Sequence, residues 1–304
     1  MSRLKTLLDN GEFVVTGECG PPRGPNVTVI EEKSQWLKGV LDAVNVTDNQ
    51  TSIVRMSSIA ASKLLVDRGL EPVAQMVCRD RNRIAMQSDV FGAVALGVKN
   101  LLCLSGDHQK FGNQSGAKNV YDVDSIQLLQ ICKTMRDERK LLGGDDIDGE
   151  IDLFLGAAAN PFGDPFEARV IRLEKKINSG ADFIQTQCIF NMKKFKQYMK
   201  LACDRGLHER AHILAGVIPL KSLPMAKYMA SNVSGVDIPP EIIERLKGVA
   251  KTDRAKEGIK MAVEQIQELR EIEGVHGIHL MAIEWEEKVP EIVAAAGLLP
   301  RPAV

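Results

Sequence analysis

The 304-residue sequence contains no Cys-x-x-Cys pair, no His-Glu-x-x-His, no Walker loop and no Gly-x-Gly-x-x-Gly after an apolar run. Those absences exclude zinc-ribbon and zincin metal sites and the nucleotide fingerprints that rest on phosphate-cradling glycine loops. Charge of one sign is missing too. With 39 Lys+Arg against 40 Asp+Glu and a formal net charge of -1, no basic field marks a nucleic acid or an anionic membrane as partner. No window approaches the roughly 18 uncharged apolar residues of a membrane span. The opening "MSRLKTLLDNGEF" lacks the apolar stretch of a secretory signal, so a cytoplasmic location is expected. The six cysteines show no metal spacing and are expected as free thiols. Of five histidines only His108 lies beside a candidate site loop, and no bound metal is expected.

What is present is a rhythm. Short runs rich in Val, Ile, Leu and Ala recur at 13–19, 43–48, 72–78, 100–106, 154–159, 183–190, 212–220 and 277–283. Most are apolar nearly throughout, as parallel strands covered by helices must be. Amphipathic stretches separate them at 28–40, 56–68, 82–97, 124–140, 165–179, 191–205, a broken pair at 222–230 and 239–248, then 252–273 and 286–297. Eight β/α units without a linker or composition shift predict an α/β fold, one (β/α)8 TIM barrel domain over residues 1–304, with a doubly wound open sheet as the alternative. The polar stretch 107–123 is long enough to be a functional loop.

Barrel active sites lie at the C-terminal ends of the strands, so the polar residues there are the candidates. Glu18 and Asp107 stand out as lone acids directly after apolar runs. Two carboxylates in one cleft can hold different protonation states and divide acid and electrostatic roles; either could instead cap a helix or pair with a cation. Gln187 sits within an apolar strand, and its amide both donates and accepts, which suits a ligand with a mixed hydrogen-bonding edge such as a pterin or, equally, a satisfied core position. Asn45 and Thr47 alternate along the second strand and can share a face.

Four motifs in fixed order, "GECGPP" at 17–22, "LCLSGD" at 102–107, "VYDVDSIQLL" at 120–129 and "ADFIQTQCIF" at 181–190, resemble the methylenetetrahydrofolate reductase family. "LAGVIPLKSLPMAKYM" at 214–229, "GVHGIHLMAI" at 274–283 and "AAAGLLPRP" at 294–302 extend the resemblance over nearly the whole chain. It implies a flavin-holding (β/α)8 barrel that reduces 5,10-methylenetetrahydrofolate to 5-methyltetrahydrofolate. By position, Glu18 falls on the family's general acid toward N10 and Asp107 on the anion that stabilises the cationic iminium. Gln187 falls on the pterin-binding glutamine, and Thr47, Ser105, Gly106, Asp107, Tyr121, Asn160 and Lys176 fall on flavin contacts.

Departures from the family pattern lie around the outer half of the cofactor. Ser105 stands where the family has Arg, Asn160-Pro161 where it has Tyr-Pro, Asp164 where it has His and Arg169 where it has Asp. Both FMN and FAD therefore remain open as the flavin. Leu223 replaces the phenylalanine that helps hold the nicotinamide donor and binds on the substrate side, which leaves direct NAD(P)H use open. The resemblance accordingly implies either a complete reductase or a flavin- and folate-binding subunit that works only beside an electron-supplying partner, in a homo- or hetero-oligomer.

Overall fold

The computed structural model describes residues 1–303. Eight parallel strands close on one another in sequence order: β1 (Val14–Cys19), β2 (Ala43–Val46), β3 (Pro72–Val77), β4 (Asn100–Leu104), β5 (Phe154–Ala159), β6 (Phe183–Cys188), β7 (His212–Val217) and β8 (Val275–Leu280). The helices are α1 (Arg3–Asp9), α2 (Thr28–Leu37), α3 (Ser58–Val66), α4 (Arg83–Ala95), α5 (Ser125–Asp137), α6 (Phe166–Asn178), α7 (Met192–Asp204), α8 (Leu223–Asn232), α9 (Pro240–Lys247), α10 (Arg254–Arg270) and α11 (Val289–Ala295). This is the (β/α)8 barrel that the β/α rhythm predicts, in a single domain, and the open-sheet alternative is set aside by the β1–β8 pairing. No helix among the described residues is long and apolar enough to cross a membrane.

Alternation along the strands sorts residues into two shells. Outward residues such as Val15, Val44, Met76, Leu101, Leu155, Ile184, Ile213 and Ile278 join the helices in the main core. Inward residues at the N-terminal ends, Val14, Ala43, Val73, Phe154 and Phe183, form a second cluster with Leu4, Leu7 and Leu8 of α1. Thus α1 plugs the barrel floor. Its first turn sits on the Glu71 carboxylate, which accepts from the backbone N–H of Arg3 (2.7 Å) and Leu4 (2.8 Å), an anion where the helix dipole favours one. Phe154 and Phe183 stack at 5.0 Å between ring centroids, and Gly156 makes that possible, since a β-carbon there would strike the Phe183 ring.

Two expectations need correction. The sequence reading placed no helix at 3–9, although its leucines at 4, 7 and 8 follow helical spacing. Several strands also end earlier than their apolar runs: Phe190, Ile218 and Leu220 lie past the ends of β6 and β7 and cluster with residues of α8 and α9. The 107–123 stretch is irregular apart from a 3-10 turn at Gln109–Phe111.

Candidate active site

Above the apolar floor the barrel interior turns polar. The side chains of Asn45 and Gln185 face each other across the barrel and exchange two hydrogen bonds (2.6 and 2.9 Å). Gln185 Nε2 also reaches Thr16 Oγ1 at 3.2 Å, and Thr16 Oγ1 lies 3.0 Å from His279 Nδ1. The other ring nitrogen, His279 Nε2, faces Glu18 Oε1 at 3.6 Å. All but Glu18 are buried, and Glu18 retains 13% side-chain exposure. The network therefore runs from the barrel's middle to one carboxylate at the mouth, fixing the ring of His279 behind it. Buried amides and hydroxyls tolerate such a place only when paired, as these are.

Glu18, His279, Gln75, Gln187, Asn160 and Lys176 line one cavity of about 310 Å³ at this end of the barrel. A register shift between Gln185 and Cys188 turns Gln187 toward it. The Gln187 carbonyl accepts from the Cys188 N–H (3.0 Å), leaving its NH2 toward the cavity. Gln75 projects into the same space from β3. Lys176 reaches the cavity from α6 and donates to the Ala158 carbonyl. Burial pushes its ammonium down to about 8, and the nearby Arg172 guanidinium adds to the effect. Arg169, Arg172 and Lys176 put three cations on this one wall, a donor set for an anionic group such as a phosphate. Arg169 Nε and Thr47 Oγ1 are buried without a protein partner. An orphaned hydroxyl at the strand end and unpaired cationic donors fit a polar ring system that carries a phosphate, as a flavin does.

The β4 side of the mouth is organised by Arg79. Its guanidinium is buried and uses all five donors: Nε and Nη2 on Asp80 (both 2.7 Å), Nη2 on Asn49 O (3.2 Å), and Nη1 on Ser52 Oγ (2.8 Å) and Asp107 O (3.0 Å). Ser52 Oγ in turn donates to Asp107 O at 2.9 Å. The clamp holds Asn49, Thr51 and Ser52 at φ of 44°, 54° and 59°, the left-handed region that non-glycine residues avoid. Gly112 lets the 3-10 turn after β4 dock here, because a β-carbon would collide with the Ser52 carbonyl. The Asp107 backbone is thus pinned while its carboxylate stays exposed and free of protein partners. Tyr121, at φ 42°, donates its hydroxyl to Gly106 O at 3.2 Å.

The predicted site residues therefore fall into groups. Glu18, Gln187, Asn160 and Lys176 share the cavity; Ser105, Gly106, Asp107 and Tyr121 form the adjoining β4 rim; and Thr47 directly follows β2. Leu223 opens α8 and packs with Ile238, Ile242 and Met225 in a separate apolar cluster. The sequence reading passed over His279 and Thr16, and it counted the 75–80 stretch among the polar strand ends without giving Gln75 or Arg79 a role. His279 and Thr16 are partners in the β1–β8 register, so their convergence follows only from the pairing.

The family model described as methylenetetrahydrofolate reductase matches residues 3–297. The chain is 24% identical to a probable methylenetetrahydrofolate reductase (NADPH) of Caenorhabditis elegans, over 97% of this chain and 44% of that protein. It is 22% identical to the 5,10-methylenetetrahydrofolate reductase of Salmonella typhimurium, over 95% of this chain and 93% of that one. It thus spans under half of the nematode relative and nearly all of the bacterial one. Among solved structures, a Clostridium thermocellum protein described as binding two copies of 5-methyl-5,6,7,8-tetrahydrofolic acid superposes with a TM-score of 0.65 at 14% identity, covering 98% and 99% of the two chains. A tryptophan synthase from M. tuberculosis superposes at 0.52 and 10% identity, covering 98% of this chain and 100% of that one. Both likenesses show the shared fold.

Proposed function

The chain belongs to the methylenetetrahydrofolate reductase family, and from that premise we propose that it reduces 5,10-methylenetetrahydrofolate to 5-methyltetrahydrofolate with a bound flavin, FMN or FAD. The observation that carries the proposal is the cavity in which one carboxylate, Glu18, backed by His279, meets the side-chain amides of Gln75 and Gln187. Gln187 offers its NH2 and Gln75 a full amide, a pairing surface for the mixed donor and acceptor edge of a pterin. The Clostridium thermocellum protein of the same fold, described as binding 5-methyltetrahydrofolic acid, supports the same ligand class.

Glu18 delivers a proton to N10, the bond from N10 to the methylene carbon breaks, and an N5 iminium is left. His279, fixed through Thr16, orients the Glu18 carboxylate and hands it a replacement proton. Asp107, pinned by Arg79 with its carboxylate free, stabilises the iminium cation. A bound reduced flavin would supply the hydride equivalent for the N5 methyl. Thr47 would hold a polar edge of the ring system and Lys176, with Arg172, its phosphate. Ser105, Gly106, Tyr121 and Asn160 would complete the cradle.

A second reading has a specific support: Leu223 is turned into the α8–α9 cluster and gives the cavity no aromatic surface for a nicotinamide. In that reading a partner subunit supplies the electrons. The test is direct. The purified protein should carry a flavin spectrum, with the mass of the released cofactor separating FMN from FAD. Glu18→Gln should retain the flavin and lose folate reduction. Full activity in that variant would remove Glu18 from its role, and a flavin-free protein would remove the reading. Ready oxidation of NADH with an artificial acceptor would count against dependence on a partner.

A further inference from the structure

A second cavity, of about 300 Å³, shares no wall residue with the one that holds Glu18. Its lining combines Phe190, Ile218 and Leu220, which follow β6 and β7, with Met192 at the start of α7, Ile242 of α9 and Met261 of α10. The helices around it are held in place. Gly258 brings α10 against the end of the β7 segment, where a β-carbon would collide with the Leu220 carbonyl. Gln265 Nε2 lies 3.9 Å from Met192 Sδ and links α10 to α7.

The charges on this wall do not balance. Three carboxylates, Glu241, Glu264 and Glu268, stand against one guanidinium, Arg245. That guanidinium is already committed: Nε donates to Glu257, and Nη1 and Nη2 fork onto Glu264 at 2.6 and 3.1 Å. Lys196 pairs with Glu268 at 2.7 Å, and Lys260 comes within 4.0 Å of Glu264. With Glu257 counted, four carboxylates meet three cations. Glu241, exposed in the first turn of α9, is the one left over, since it makes no ion pair among the described residues.

We infer that this cavity is a second small-molecule site, one that takes an amphipathic cation, with an aryl or alkyl body among Phe190, Met192 and Met261 and an ammonium or amidinium head on Glu241. An apolar recess of this size with a few polar groups at its edge is the shape that small ligands occupy. Phe190 and the two thioethers favour an aromatic body, because sulfur packs well at ring edges and methionine adapts to the outline of what it meets. The carboxylate left over sets the sign of the head. An ammonium there gains a charge-assisted hydrogen bond, whereas an anion meets a surplus of its own charge beside an arginine whose donors are already taken. The inference stands apart from the reaction proposed above, because no group assigned to the folate or the flavin lines this cavity.

The test titrates the full chain, carrying methyl-labelled methionine, with phenylbutylamine and with phenylbutyrate, its anionic counterpart, and follows the Met192 and Met261 methyl signals by NMR. Saturable shifts of both signals are expected with the amine, at a dissociation constant below about 1 mM, and binding about tenfold weaker or more with the acid. Glu241→Gln, at an exposed position without a protein partner, should weaken the amine severalfold and narrow the gap between the two probes. Met261→Trp, with its folding checked by a thermal melt, should fill the cavity and abolish the shift at Met192. No saturable shift at about 10 mM amine, equal affinity for the two probes, or an unchanged amine affinity in Glu241→Gln overturns the inference.

Discussion

Replacing Arg79 by Met removes five hydrogen bonds at once while keeping much of the side chain's apolar volume. The losses are unequal. Asp80 has 34% of its side chain exposed and can rehydrate, so its part of the clamp costs little. Ser52 Oγ and the carbonyls of Asn49 and Asp107 lose a charged donor in a buried setting, and the left-handed backbone at residues 49, 51 and 52 loses its tether. Removing charge-assisted bonds of this kind costs about 3 kcal/mol, below the full penalty of a broken buried pair because one partner re-solvates. For a chain of this length that corresponds to a fall in Tm of about 5 °C. Thermal melts read the number. Hydrogen exchange at residues 49–55 and 107–113 locates it, with faster exchange expected there and not on the barrel floor. Arg79→Lys should recover only part, since an ammonium cannot fork across four partners. A Tm within about 1 °C of the unaltered protein, with unchanged exchange in both loops, would refute the clamp.

Three further outcomes follow from other parts of the molecule. Burial, helped by the charges of His212 and His208, pulls His276 down to about 4; because the unfolded chain then takes the proton first, stability should decline as the pH falls from 6.5 toward 4. His212 is lowered as well by burial, with Asp9 opposing, so His276→Asn should shallow the slope of urea midpoint against pH; an identical slope would discard the assignment. Burial pushes the thiols of Cys19, Cys78 and Cys188 up to about 12, so a thiol reagent at pH 8 should label one cysteine of the folded chain, Cys203, and six after denaturation. Gln185→Leu strands the Asn45 amide and should cost about 2 kcal/mol, partly recovered when Asn45→Val removes that amide as well; a strictly additive double variant would contradict the pairing.

Much of the architecture is legible in the chain because parallel strands sheathed by helices are apolar on both faces, and eight such runs leave little choice of topology. The acid at position 18 is legible for a related reason: a lone carboxylate after "FVVTG" has no local partner. What the sequence hides depends on closure. His279 lies 261 positions from Glu18 and becomes its neighbour only when β8 pairs with β1. Arg79 reads as one cation in "CRDRNR", and nothing local shows that three of its five donors reach two other strand ends. Strand ends are blurred because residues such as Phe190 and Leu220 remain apolar after leaving the sheet, serving the layer beneath α8 and α9.

The helix seated under the strands has a kinetic corollary. A barrel stoppered at its base is a vessel with one opening, so whatever reacts inside must enter and depart through the same ring of loops. On the proposed function, product still seated over Glu18 would obstruct the next substrate, and turnover would follow how quickly that rim lets go; the rim is where the Arg79 clamp lies. Changes there would shift residence time without altering any group that handles a proton.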